Sequence, residues 1–315
     1  SYITGDDDVY LGGFNPEKYQ GITEMRDLIL DLGEFDPGTG CYLFLKGWIF
    51  PTDASINFAL SQTESLKVIN PSLEVVDKNG NWTMAIENIG FPMGKDKTVI
   101  ANLTGKFPTS DHRIRIRTNM EIYWDQIFWS DCNVNYPLKT YFMDPVKADL
   151  HYRGFSRGFR KGGRYGPHWF DYSVVDTTWK WRDLTGYYTR FGDVLPLLTG
   201  ADNKYIITNA GDETSVWFSA EGLPAPEKGW KRDFLIRSVG WVKDGDMNTA
   251  HGSTVLPLPF HGMKSYPPGE TDVYPNDPDL EKYNREYNTR RIDREDYLKA
   301  FRNKNFGLQG IRISE

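Results

Sequence analysis

Three side chains with oxygen ligands alternate along the segment Asp244-Gly-Asp246-Met-Asn248. Carboxylate and amide oxygens at alternate positions can converge on one hard cation, and Ca²⁺ takes about six to eight oxygen ligands. The spacing therefore predicts a calcium site formed by Asp244, Asp246 and Asn248, although the glutamate that closes an EF-hand loop does not follow. The same residue types also form ordinary turns, so a turn without metal is the alternative.

A second group of side chains is basic and interleaved with aromatic residues. Such a group can bind an anionic surface on a ligand or a partner. It comprises five cations with no acidic residue between them: Arg153, Arg157, Arg160, Lys161 and Arg164. The first 150 residues contain 21 Asp and Glu against 13 Lys and Arg. We therefore favour charge pairing within the chain or between subunits as the role of this basic cluster.

The chain contains ten tryptophans, more than the filling of a core normally requires. Exposed indole rings on a β-sandwich can stack against sugar rings or a partner surface. Most of the ten are expected in the core. The first half of the chain nevertheless offers a possible aromatic platform made of four members of this set: Trp48, Trp82, Trp124 and Trp129.

Two cysteines, Cys41 and Cys132, are too few for a disulfide-dense framework or a four-thiolate metal site. Each lies beside an aromatic, strand-like run, CYLFLKGWIF and IYWDQIFWSDC. Pairing of the two thiols across neighbouring strands is therefore a candidate disulfide, and two buried thiols are the alternative.

Familiar catalytic signatures are absent from the sequence. It has no HExxH pair, GxSxG elbow or Gly-rich phosphate loop, so no catalytic residue is predicted and no cofactor beyond a possible Ca²⁺. A glycan hydrolase stays an alternative, because it needs only two carboxylates that face each other across a cleft. The net charge of −6 does not favour nucleic-acid binding. The longest apolar stretch, residues 41–50, is interrupted by Lys46 and is too short to span a membrane.

The elements that must position these side chains have the pattern of strands. Asn79-Gly80 predicts a hairpin turn with positive φ. Arg113, Arg115 and Arg117 alternate with isoleucines, which places their guanidinium groups on one strand face, wet or paired with carboxylates. Short apolar or alternating runs between turn residues predict an all-β fold: YLFLKGWIF, SINFALSQ, SLEVV, KTVIANL, RIRIRTNMEIYWDQIFW, YYTRFGDVLPLL, KYIITNAGDETSVWFSA and RDFLIRSVGWVKDGD.

The order of these runs predicts two β-modules and a tail. Residues 1–145 are expected to form a jelly-roll-like β-sandwich of the galactose-binding kind, and residues 146–253 a second β-sandwich. Residues 254–315 contain six prolines followed by a charged stretch that is rich in helix formers. Because repeated proline removes donors from a strand ladder, this last part is expected to form an extended, surface-wrapping segment with short helices that acts as a tether.

Several long phrases resemble one family: GWIFPTDASINFALSQ, AIENIGFPMGKDKTVIANLTGKFP, RIRIRTNMEIYWDQIF, YYTRFGDVLPLL, GWKRDFLIRSVGWVKDGDMNT and VLPLPFHGMKSYP. Together, over about residues 20–290, they resemble the C-terminal region of large bacterial FG-GAP/ASPIC-UnbV (cartilage-acidic-protein-like) proteins. The resemblance implies export to the periplasm or the extracellular space and carries over no catalytic residue. This chain lacks the Asp-rich FG-GAP calcium loops, so the ligand-binding role of the propeller in those proteins is not transferred.

Taken together, the sequence predicts an exported, non-catalytic β-sandwich protein that binds or assembles with other protein subunits, identical or different. A carbohydrate-binding module is the first alternative, because of the jelly-roll-like strand order and the tryptophans. A glycan hydrolase with a carboxylate pair is the second.

Overall fold

The computed structural model describes residues 3–36, 38, 40–131, 137–177, 184–246, 248–275 and 277–296. Strands dominate these residues and helix is a minor part of them, which confirms the all-β prediction. No helix in this part of the chain has the length and apolarity needed to cross a membrane. The chain divides into two compact units, the first within 1–138 and 158–171, the second within 139–157 and 172–315.

The first unit is built from two antiparallel sheets, in the order β1-β6-β3-β4 and β5-β2-β7. Both sheets contribute side chains to one apolar core, so this unit is a two-layer β-sandwich. Its described elements are β1 (Ile22–Asp31), β2 (Tyr42–Ile49), α1 (Ala54–Ser61), β3 (Ser72–Val76), β4 (Trp82–Ile86), β5 (Lys97–Asn102), β6 (Arg113–Met120) and β7 (Ile122–Ser130).

The alternation of β6 follows the sequence prediction. Ile114 and Ile116 are buried in the core, and the arginines that alternate with them, Arg113, Arg115 and Arg117, point to the opposite face. There the Arg115 guanidinium pairs with Glu74 on β3 and with Asp27 on β1. The outer face of this sheet is therefore paired with carboxylates, because a period of two separates the apolar side chains from the charged ones.

The predicted hairpin joins β3 to β4. Val76 pairs with Trp82, and the backbone N–H of Gly80 donates to the Asp77 carbonyl oxygen at 3.0 Å. Gly80 has a φ of +81°, a conformation that glycine adopts without a steric penalty. The prediction of a turn with positive φ at this Asn-Gly pair is confirmed, with the positive φ carried by the glycine.

The run SINFALSQ forms a helix, which corrects the prediction of a strand. The Asp53 carboxylate accepts a hydrogen bond from the Ile56 backbone N–H at 2.8 Å and so caps the first turn of α1. No residue of α1 is fully buried, and Phe58 is exposed. The backbone hydrogen bonds of this apolar run therefore lie within the helix and not in a strand ladder.

The remaining described elements begin at residue 145. β9 and β10 pair with each other, and their distal ends, within 158–171, belong to the first unit. These elements are β8 (Pro145–Tyr152), β9 (Phe155–Arg160), β10 (His168–Asp176), β11 (Gly186–Tyr188), β12 (Gly192–Asp193), β13 (Asp212–Phe218), α2 (Pro278–Tyr287) and β14 (Arg290–Ile292).

The core of the second unit lies between a sheet and a helix. β8 is the central strand of the sheet β12-β8-β13, and its Leu150 is fully buried. The helix α2 buries Leu280, Tyr283 and Tyr287 in the same core. Just after α2, β14 pairs with β11. The helical part of the predicted tail is thus an integral layer of the second unit.

We expect Leu280→Ala to lower the free energy of unfolding by about 2–5 kcal/mol, because it removes buried methyl groups and leaves a cavity between α2 and β8. Lys282→Ala, on the exposed side of the same helix, is the matched control and should change it by less than about 0.5 kcal/mol. Guanidinium denaturation measures both. Equal denaturation midpoints for the two variants would show that α2 adds nothing to this core.

Candidate functional site

Two residues of the basic cluster, Arg153 and Lys161, are paired with carboxylates of the units to which they belong. In the second unit, the Arg153 Nε atom lies 3.0 Å from a Glu213 carboxylate oxygen. In the first unit, the Lys161 ammonium lies 2.7 Å from Asp8 and 3.4 Å from Asp96. The hydrogen bond with Asp8 raises the pKa of Lys161. Pairing inside the chain, the role that we favoured from the sequence, therefore describes Arg153 and Lys161.

The other three cations of the cluster differ in their surroundings. Arg160 donates a hydrogen bond to the Gly166 carbonyl oxygen at 2.9 Å, and its guanidinium lies 5.9 Å from the centre of the Trp48 ring. Arg157 and Arg164 are exposed. Binding of an anionic partner by these two residues stays a prediction.

Burial corrects the prediction of an aromatic platform at two of its four positions. Trp48 is 3% exposed and Trp124 is 4% exposed, so neither ring can stack against a sugar. Trp48 instead stacks on Tyr123 with ring centres 4.7 Å apart and donates its indole N–H to the Tyr165 carbonyl oxygen at 2.9 Å. A buried tryptophan with a satisfied N–H is a core residue.

The other two tryptophans of the predicted platform are half-buried. The Trp129 ring stacks on Phe35 with ring centres 4.3 Å apart. The Trp82 ring has the Arg115 guanidinium 5.0 Å from its centre. Both rings thus already have neighbours within the first unit, which weakens the carbohydrate-binding alternative.

Two carboxylates of the predicted calcium site, those of Asp244 and Asp246, accept hydrogen bonds from backbone N–H groups nearby. A carboxylate oxygen of Asp244 accepts a hydrogen bond from the Asp246 backbone N–H at 3.0 Å. A carboxylate oxygen of Asp246 accepts one from the Asn248 backbone N–H at 2.8 Å. Such hydrogen bonds are those of ordinary Asx turns, as the metal-free alternative predicts. The calcium site at Asp244, Asp246 and Asn248 stays a prediction.

The feature that sequence analysis missed is an exposed apolar segment of the second unit, residues 233–242. The run RDFLIRSVGWV has the composition of a strand, yet it pairs with no strand in the described part of the chain. Leu235 is 98% exposed and Val242 is 93% exposed. The exposed large apolar side chains of this 233–242 segment are Phe234, Leu235, Ile236, Val239, Trp241 and Val242.

Contacts at its C-terminal end anchor the 233–242 segment to its own unit. The Trp241 and Tyr266 rings lie with their centres 5.4 Å apart. Lys243, which directly follows the segment, donates hydrogen bonds to the carbonyl oxygens of Val255 at 3.3 Å and Leu256 at 3.0 Å. Burial lowers the pKa of the Lys243 ammonium. The segment is thus held at one end while its apolar residues face water.

A shallow depression of about 360 Å³ lies elsewhere on the second unit. Tyr141, Phe142 and Leu223 contribute apolar walls. Asp144 and Glu221 also line it, and a carboxylate pair is what the glycan-hydrolase alternative requires. Phe142 is itself exposed, so this depression enlarges the apolar surface of the unit rather than enclosing a substrate.

Comparison of this chain with models of protein families, with curated proteins and with solved structures finds no match.

The cysteine pair gives a prediction that bears on cellular location. Cys41 is buried beside β2, and its backbone N–H donates to the Thr104 hydroxyl at 3.0 Å, whereas Cys132 lies outside the described residues. In protein from an oxidising compartment we expect the two thiols to be joined. Alkylation in denaturant without reductant, followed by mass spectrometry, should then label neither cysteine. Alkylation after reduction is the control and should label both. Labelling of both without reductant would contradict the disulfide.

Proposed function

We propose that this protein is an exported, non-catalytic β-protein that binds another protein chain through the 233–242 segment. The observation that carries the proposal is the exposure of a strand-like apolar run that pairs with no strand in the described part of the chain. Export and the lack of catalysis enter the proposal from the family resemblance and from the absence of catalytic motifs in the sequence.

The side-chain pattern of the segment favours burial on both faces. In an extended chain, Phe234, Ile236 and Val242 fall on one face, and Leu235 and Trp241 on the other. Strands with apolar residues on both faces are typical of positions inside a protein, where both faces are covered. Burial of each such side chain is worth about 1.5–3 kcal/mol. A partner that covers the segment therefore gains a large part of its binding energy from these residues.

The backbone of the segment favours strand addition as the binding mode. The run lies outside every strand ladder of the described residues, so its backbone N–H and C=O groups can pair with the open edge of a sheet in another chain. Main-chain hydrogen bonds would supply affinity, and pockets for alternate side chains would supply specificity. We infer that the partner carries an exposed sheet edge bordered by apolar pockets.

Charged residues interrupt and border the apolar run. Lys231 and Arg232 precede it, Asp233 begins it, Arg237 lies within it and Lys243 follows it. Charges in these positions oppose the non-specific stacking of identical strands, which is how natural sequences protect apolar strands that have to stay exposed. This pattern supports specific binding over indiscriminate aggregation.

Substitution of the most exposed apolar residue tests the proposal. We expect Leu235→Glu to weaken the complex by about tenfold or more, because it replaces a buried contact worth about 1.5–3 kcal/mol by a charge. Ser238→Glu adds the same charge to the same segment without removing an apolar side chain and should bind like the wild type. Each full-length chain is expressed with an affinity tag in the source cells, purified and analysed by sedimentation velocity.

The wild-type chain and Ser238→Glu should sediment as a stoichiometric complex, with a second copy or with another protein, and Leu235→Glu should sediment alone. Because Leu235 makes almost no intrachain contact, the thermal unfolding of all three chains should be the same. A wild-type chain that sediments alone, or a complex that Leu235→Glu leaves intact, would overturn the proposal.

A further inference from the structure

A buried carboxylate in the first unit lies at an irregularity of β7. In the pairing of β7 with β2, Gln126 faces Lys46 and Trp124 faces Gly47, so Asp125 is the extra residue of a β-bulge. A Cβ atom at position 47 would collide with the Tyr123 carbonyl oxygen, so the close approach of the strands here requires glycine. The bulge changes the direction of the Asp125 side chain relative to the regular alternation of the strand.

The chain before β1 folds over this bulge. Thr4 forms a bridge with Gln126 and Leu11 forms one with Trp124, so both ends of the intervening loop are fixed on either side of Asp125. Between these two bridges the loop advances by seven residues, whereas β7 covers the same distance in two residues. The loop therefore has to arch outwards. The arch contains Asp6 and Asp8.

The arch and the bulge together assemble three carboxylates. Asp6, Asp8 and Asp125, here called the acidic triad, each offer a carboxylate oxygen, and these oxygens all lie within 4.8 Å of one another. Oxygens bound to one Ca²⁺ at about 2.3–2.6 Å can be at most about 5 Å apart, so the triad matches the size of a calcium coordination sphere.

The Asp125 side chain provides the independent observation that points to a ligand. It is 0% exposed, and neither of its carboxylate oxygens has a hydrogen bond of normal geometry among the described residues, although the Lys46 ammonium and the Asp7 backbone N–H are near enough to lower its pKa against the effect of burial. The nearest cation, the Lys46 ammonium, is hydrogen-bonded to Asp6 and lies 3.4 Å from one Asp125 oxygen. A buried carboxylate normally has its lone pairs satisfied, because an unsatisfied charge inside a protein is costly.

The charges around the acidic triad also favour the binding of a cation at Asp125. Burial raises the pKa of Asp125, and the nearby Asp6 charge adds to this effect, against the opposing influence of Lys46. The hydrogen bond with Lys46 lowers the pKa of Asp6. Lys161 reaches Asp8 from the other side but is shared with Asp96. The ammonium groups of Lys46 and Lys161 thus face four carboxylates, those of the acidic triad and of Asp96. Negative charge is therefore in excess around Asp125, the buried member of the triad.

We propose that the acidic triad binds a hard divalent cation of the Ca²⁺ class, which joins the N-terminal arch to the bulge of β7. The cation takes the place of the Lys46 ammonium, whose four-carbon side chain can turn towards solvent. The bound ion supplies two positive charges where the ammonium supplies one and coordinates the oxygens of Asp125 that have no hydrogen bond of normal geometry among the described residues. This site is separate from the 233–242 segment and from the turn at 244–248.

The test uses the full-length chain after treatment with chelator and dialysis. Calcium chloride is titrated into it by calorimetry, and thermal unfolding is followed in parallel, with magnesium chloride and with sodium chloride at equal ionic strength. We expect a saturable rise of the melting temperature with Ca²⁺, since a cation that binds only the native state stabilises it by mass action. A response that sodium chloride reproduces in full would overturn the proposal.

Three single-carboxylate variants locate the site. Asp125→Asn should weaken Ca²⁺ binding by about tenfold or more, because affinity depends on the number of charged ligands. Asp7→Asn removes the same charge from an exposed neighbour in the arch and should bind Ca²⁺ like the wild type. Asp246→Asn tests the turn at 244–248 and should also leave the response unchanged. Loss of the response in Asp246→Asn, or equal responses in Asp125→Asn and Asp7→Asn, would overturn the assignment.

Two further variants provide a substitute for Asp125→Asn and a test of the displacement of Lys46. If Asp125→Asn does not fold, Asp6→Asn, whose side chain is exposed, replaces it with the same expected loss. Lys46→Met removes the competing ammonium and keeps the apolar part of the side chain, so we expect Ca²⁺ to bind it about tenfold more tightly than the wild type. An unchanged or weaker affinity in Lys46→Met would contradict displacement of Lys46 by the cation.

Discussion

The first unit depends on the burial of one continuous layer of side chains between its two sheets. β2 and β7 contribute residues such as Leu43 and Trp124 from one sheet, and β3 and β6 contribute residues such as Leu73 and Ile116 from the other. Because successive side chains of a strand point to opposite faces, this layer fixes the register of every strand that lines it. The charged residues are thereby sent to the outer faces, where Arg115 meets Glu74.

Asp125 is the exception to this separation of charge. It lies on a strand whose preceding residues are buried and apolar, and its side chain is as buried as theirs. The bulge makes this possible, because the extra residue is released from the strict alternation of the ladder. The Lys46 ammonium, 3.4 Å from Asp125, offsets part of the cost of holding a carboxylate there, whereas the nearby Asp6 charge adds to that cost.

The second unit meets the same demand for burial in another way. Its sheet around β8 is small, and α2 covers it with Leu280 and two tyrosines. The pairing of Arg290 with the buried carboxylate of Asp212, at 2.5 Å, fastens the chain just after that helix to β13. The 233–242 segment has the composition to be buried and no place in this core. Such a surface is typical of proteins that complete their burial by association.

The sequence by itself determined features that depend on neighbouring residues. The turn at Asn79-Gly80 follows from the φ that glycine allows, and the split of β6 into isoleucines and arginines follows from the period of a strand. The all-β class follows from the repetition of such runs. The pairing of Lys161 with Asp8 and Asp96 was also expected, because the acidity of the first half can be read directly. The charge balance of the two halves does not predict the pairing of Arg153 with Glu213, because both residues lie in the second half.

Only the tertiary structure decided which apolar and charged residues meet. SINFALSQ and RDFLIRSVGWV have the composition of strands, but a strand exists only where a second one lies beside it. The first run forms α1, and the second pairs with no strand among the residues that the structure describes. Trp48 and Trp124 are core residues because distant parts of the chain cover them. The acidic triad joins Asp125 to carboxylates near the start of the chain. No local pattern contains such a contact, since it arises from the register of two strands and the arch that crosses them.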